Sequence, residues 1–293
     1  MVSKMNATAN APHNNLKWIS GGVIKYVVIN DMNIRYLQVG EGPPLILIHT
    51  IRTQLDYFQK IIPELAKSYC VYALDLPGHG HSDIVDQAHD KPLFVDTLTT
   101  FIKALGLKDV TLAGESIGGA IALGVAAKQE VSIRRVIAMN AADYDNSNGL
   151  DRSSILGRIL FTGIRWPIIG WVISNAETPG VLRQILRGGF SHPDHLPEDL
   201  VTEFSRVGKR RGYSKAFRSI FLNWPSWTEN RKLYREINIP VVLIYGEHDW
   251  TTQSERISNQ IIIKDSRLIE IEGAGHFSSL DSPEKITDII LNG

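Results

Sequence analysis

Five short runs of almost unbroken apolar residues constrain this chain more than any other feature: PLILIH (Pro44 to His49), YCVYALD (Tyr69 to Asp75), DVTLAG (Asp109 to Gly114), RRVIAMN (Arg134 to Asn140) and PVVLIYG (Pro240 to Gly246). A strand with one face in water alternates polar and apolar residues, so a continuous apolar run needs cover on both faces, as in a parallel sheet between helix layers. The intervening segments carry the helices. In PLFVDTLTTFIKALGL, Phe94, Leu98, Phe101, Ile102 and Leu105 fall on one helical face and Gly106 marks the stop. Upstream, Ile24 to Val39 alternates and breaks at the turn-like Asp31-Met32, which predicts an antiparallel hairpin. The expected fold is therefore α/β, a mostly parallel central sheet flanked by helices, with chemistry at the carboxyl ends of the strands.

The alternation lapses between residues 141 and 237, a stretch that reads as helical and holds Trp166, Trp171, Trp224 and Trp227. The expected division is a flexible tail over 1–16, a core over 17–140 and 238–293, and a helical lid over 141–237. Phe161, Trp166, Trp171 and Trp224 are the lid residues expected to line a substrate pocket. Ile155 to Ile173 is the most apolar segment, but Arg158, Arg165 and Pro167 interrupt it, which argues against a spanning helix. Contact of the lid with a membrane interface is the secondary reading. Lys+Arg and Asp+Glu both number 31, so no net field attracts nucleic acid or anionic lipid to the molecule as a whole, and a small-molecule substrate is expected. The first sixteen residues lack an apolar export core, so a cytoplasmic location is expected and the acceptor pattern at Asn6 reads as coincidence. The single cysteine, Cys70, excludes an intrachain disulfide and reads as core packing. Oligomeric state is left open.

GESIGG, Gly114 to Gly119, falls where a predicted buried strand passes into a predicted helix. A turn sharp enough to expose the Ser116 hydroxyl brings strand and helix backbones together, and glycines at 114 and 118 remove the Cβ atoms that would collide. The helix start supplies free N–H groups, with Ile117 first among them, to an oxyanion. A neutral serine hydroxyl needs a base, and the base an orienting acid. YGEHDWT offers Glu247, His248 and Asp249 after one strand, and GAGHF offers His276 after another. Within HGHSD, His79, His81 and Asp83 imitate a metal-binding pattern, but Ile84 stands where a further ligand is normal and no metal is expected.

Taken together, LILIHT, DLPGHGHSD, GESIGG, YGEHDWT and GAGHFSSLDSPEKI resemble the lid-bearing α/β-hydrolase family, in that family's order from about Ile24 to the C-terminus. The resemblance implies a Ser116, Asp249, His276 triad, with Glu247 and then Asp143 as weaker candidates for the acid. It implies Ile51 as the second oxyanion donor, although Thr50 stands where the family usually has glycine. Arg52 is either a solvated loop charge or a contact to an anionic or carbonyl substrate group. Family members that open epoxides or displace halide generally carry Asp at the nucleophile position, so Ser116 points to acyl transfer from an ester, thioester, lactone or amide without cofactor or metal. The alternatives kept open are hydrolysis of a carbon–carbon bond beside a carbonyl and a slow-turnover ligand-binding receptor.

Overall fold

The computed structural model describes residues 16–143, 149, 152–153, 155–175 and 177–293. The N-terminal tail up to residue 15, Asn6 included, lies outside them. Eight strands form one sheet: β1 (Val23–Ile29), β2 (Met32–Val39), β3 (Pro44–Ile48), β4 (Cys70–Leu74), β5 (Val110–Glu115), β6 (Ile133–Met139), β7 (Val241–Gly246) and β8 (Ser266–Ile271). The order is β1-β2-β4-β3-β5-β6-β7-β8, antiparallel at β1/β2 and β2/β4 and parallel elsewhere. The five apolar runs supply β3 to β7, and β5 and β7 are buried along their whole length.

The hairpin turn sits one residue earlier than expected. Ile29 pairs with Met32, so Asn30 and Asp31 form the two-residue loop, both at positive φ (48° and 63°). That loop matches the right-handed strand twist, and Asn and Asp tolerate the left-handed region. Met32 is consequently a buried strand residue, not part of the turn.

The helices are α1 (Ile62–Leu65), α2 (Lys91–Ala104), α3 (Ile117–Lys128), α4 (Ile155–Gly163), α5 (Pro167–Asn175), α6 (Pro179–Arg187), α7 (Glu198–Gly208), α8 (Tyr213–Leu222), α9 (Pro225–Glu229), α10 (Gln253–Ile262), α11 (Ser278–Asp281) and α12 (Pro283–Asn292). The side chain of Asp90 caps α2 by accepting from the Leu93 amide, and Phe94, Leu98, Phe101 and Ile102 are buried from it. Each such side chain contributes roughly 1.5–3 kcal/mol of apolar burial. Between β6 and β7 the described residues form α4 to α9. A buried ion pair ties the antiparallel edge to the parallel sheet: Arg35 Nη1 lies 3.0 Å from Asp75 Oδ2, and the Asp75 carboxylate also accepts from the Leu55 and His81 amides. Burial pushes the Asp75 carboxyl up, but Arg35, His49 and these amides outweigh it and leave it below its ordinary value.

Candidate active site

Ser116 stands between β5 and α3 with φ 58° and ψ −119°, outside the regions an L-residue normally occupies. Space explains why its neighbours are small. A Cβ on Gly114 would come 2.2 Å from the Gly118 carbonyl oxygen, and one on Gly118 would come 2.0 Å from that of Ile48. The second approach brings the end of β3 and the 49–52 loop against the start of α3. As the first residue of α3, Ile117 has no intrahelical acceptor for its N–H. Ile51 is half-buried and lines the cavity described below.

His276 Nε2 lies 2.9 Å from Ser116 Oγ, and His276 Nδ1 lies 2.5 Å from Asp249 Oδ1. A carboxylate can only accept, so Nδ1 carries the proton and Nε2 is left to accept from the serine hydroxyl. Burial pushes the Asp249 carboxyl up, yet His276 and the Thr251 hydroxyl and amide outweigh it and hold it below its ordinary value. The other acids are committed elsewhere: Glu247 accepts from the Gly273 amide and Asp143 from the Asn259 side chain.

Reading the sequence missed two contributors. Trp250 lies flat on the imidazole of His276, ring centroids 3.8 Å apart and planes 12° apart, and its indole N–H donates to the Gly188 carbonyl. Its only signal was adjacency to Asp249. Asn140, at the end of β6 with φ 47°, donates from Nδ2 to the His276 carbonyl, Ser278 Oγ and Glu115, while its Oδ1 accepts from the Gly246 amide. One buried amide thus touches the segments bearing Ser116, Asp249 and His276. Glu115 is itself buried and accepts from Tyr57, Ser278 and the Ser279 amide.

His276 opens onto a cavity of about 490 Å³. Its apolar wall includes Leu160, Phe161, Ile164, Ile173 and Phe217, and its polar end includes Arg52, Glu177, Lys209, Arg210 and Arg211. Arg52 is not the solvated loop charge considered above. It is half-buried, paired with Glu177, bonded to the Phe204 carbonyl and Tyr213 hydroxyl, and stacked over the Tyr213 ring. Of the aromatic residues expected in the pocket, Phe161 lines it. Trp166 and Trp171 do not, because both point outward from the α4–α5 pair and stand exposed. Trp224 is buried but stacks between Phe221 and Trp227 inside the helical layer, away from the cavity wall.

The HGHSD side chains diverge: His79 packs against Phe94 and Tyr213, His81 meets Arg206 and Glu203, and Asp83 accepts from Asn33. A different trio, His192, His195 and Asp281, brings ligand-type atoms within 4.8 Å of one another. Its Asp281 carboxylate already accepts from the Ser191 and Gly275 amides, fastening that surface turn to the His276 segment.

A profile of the alpha/beta hydrolase family matches residues 45–289, most of the chain. The chain belongs to that family. It is 26% identical over 88% of its length to (E)-2-((N-methylformamido)methylene)succinate hydrolase of Acinetobacter baylyi, covering 92% of that protein. It is 24% identical over 93% of its length to 2-hydroxy-6-oxo-6-(2'-aminophenyl)hexa-2,4-dienoic acid hydrolase of Metapseudomonas resinovorans, covering 91% of that protein. Among solved structures, wild-type Cfl2 from Burkholderia cenocepacia superposes with a TM-score of 0.84 over 95% of this chain and 97% of that one, at 18% identity, a likeness of fold. The family and its hydrolase relatives make this an enzyme of the general serine-hydrolase kind.

Proposed function

We propose that the chain hydrolyses a small, largely hydrophobic carbonyl compound through an acyl-enzyme on Ser116. The observation that carries the reading is the continuous relay from Ser116 Oγ through His276 to Asp249, at 2.9 and 2.5 Å. His276 takes the hydroxyl proton as Ser116 attacks, and Asp249 holds the tautomer and stabilises the imidazolium that forms. The amides of Ile117 and Ile51 bind the oxyanion, each worth on the order of a hundred- to a thousandfold in rate. His276 returns the proton to the leaving group, then takes one from water to release the acid. The helices between β6 and β7 serve as a lid, with Phe161 contributing its apolar wall.

The relatives support a narrower second reading. A 6-oxo group flanked by carbon on both sides, as in the name of the Metapseudomonas resinovorans enzyme, offers hydrolysis only a carbon–carbon bond. Both named substrates are also carboxylates, and this cavity's polar end sets Arg52, Lys209, Arg210 and Arg211 against one acid among the described residues, Glu177. On this reading the substrate is an oxo-acid whose carboxylate faces that end.

A fluorophosphonate probe should label Ser116 in the wild type and leave Ser116→Ala unlabelled. Labelling that survives the substitution would overturn the nucleophile. Turnover of vinylogous 1,5-dioxo acids at least tenfold faster than of p-nitrophenyl esters is expected of the carbon–carbon reading, and the opposite ranking removes it.

A further inference from the structure

The outer face of α4 and α5 has no place in the chemistry, yet it is the most anomalous surface of the molecule. Of thirteen large hydrophobic residues exposed among the described residues, seven lie within 155–172, with Ile155 and Ile168 80% exposed, Trp166 61% and Trp171 65%. Apolar clustering on that scale marks an interaction site. The platform is well defined. A Cβ on Gly170 would meet the Ile164 carbonyl oxygen at 2.0 Å, and one on Gly163 would meet Ile173, so the two helices are pressed together by their glycines. Phe161, Ile164 and Ile173 face the cavity from the same pair, which leaves Ile155, Ile159, Ile168 and Val172 to face outward.

Within the sequence of the helix pair the charge has one sign. From Ile155 to Asn175 the only ionisable side chains are Arg158 and Arg165, and Arg218 joins them by donating to the carbonyls of Ile164, Arg165 and Trp166. Exposed arginines beside apolar side chains and two tryptophans match an anionic bilayer surface. Tryptophan rings favour the headgroup level and arginine the lipid phosphates. Among the described residues no helix is long and apolar enough to cross a membrane, so such a contact would lie in the interface and not span it.

We propose that α4 and α5 form a docking surface for anionic phospholipid bilayers, reversible and independent of which bond the active site cuts. Co-sedimentation of the full chain with vesicles tests it. Binding should rise with the fraction of phosphatidylglycerol in phosphatidylcholine, and tryptophan emission should shift to shorter wavelength as Trp166 and Trp171 leave water. The double variant Ile159→Asp/Ile168→Asp should bind about tenfold more weakly, and Arg165→Glu about fivefold more weakly at low salt. Both should keep the wild-type circular dichroism, since all three positions are exposed. Wild type that stays in the supernatant at every composition overturns the proposal, as does equal binding by the double variant. A wild-type dimer in analytical ultracentrifugation that the double variant dissolves, without vesicle binding, assigns the face to a second copy instead.

Discussion

Trp250 covers one whole face of His276, and that contact does two things at the level of a single side chain. It excludes water from the imidazole and fixes the ring plane, so that Nε2 stays on Ser116 while Nδ1 stays on Asp249. Trp250→Ala should lower kcat about tenfold with a smaller change in KM, because it loosens the imidazole of His276 while leaving both of that ring's hydrogen-bond partners in place. Trp250→Phe, which keeps an aromatic face, should recover most of the loss. Steady-state kinetics on any ester that the wild type turns over decide this, and a loss confined to KM would assign Trp250 to substrate binding alone.

Individual loops are held by polar side chains that sit between strand ends. Asn140 is the clearest: Asn140→Ala withdraws a donor from the His276 carbonyl and Glu115 and the acceptor from the Gly246 amide. Leaving such buried groups unpaired costs roughly 1–3 kcal/mol. Asn140→Gly restores freedom at the positive φ but not the amide, so both variants should lose kcat while Asn140→Gly keeps more thermal stability. Equal activity in Asn140→Gly and wild type would show that the backbone conformation alone matters. Arg35→Met should lower stability by about 3–5 kcal/mol in urea unfolding, since it strands the buried Asp75 carboxylate. At this scale the limit of reading the sequence is visible. The strands were legible because burial on both faces writes a continuous apolar run. The tight turn at Ser116 was legible because close backbone approach demands glycine. Asn140 was not, since its importance comes from three segments that converge on it only after folding. Trp166 and Trp171 were misplaced because apolarity does not say which side of a helix pair faces the cavity. The hairpin turn slipped by one residue because Met32 reads as turn-like until Ile29 is seen to need a buried partner.

Across the molecule, several buried histidines act in concert on acid stability. His49 accepts the Leu76 amide on Nε2 at 3.0 Å and turns Nδ1 to the Thr50 carbonyl, an arrangement only the neutral ring can make. Burial pushes its imidazole down to about 4 from 6.5, and His79 and His89 are depressed for the same reason. Below 6.5 the unfolded chain gains protons that the folded chain refuses, so the stabilisation is whole at neutral pH and drains away between about 6.5 and 4. For His49 alone this is ~3 kcal/mol. Urea midpoints at pH 7.5 and 5 should therefore diverge, and His49→Gln should narrow the gap; an unchanged gap would remove His49 from the account. A different consequence follows from the parallel pairing of β6 with β7, Val136 beside Val241. The ~100 residues between those strands leave and rejoin the sheet at neighbouring strands, and closing so long a loop costs only ~0.6 kcal/mol more for each doubling of its length. The connection is thus a cassette. Evolution can lengthen it, trim it or exchange it for another while the sheet that carries Ser116, Asp249 and His276 goes on folding as before.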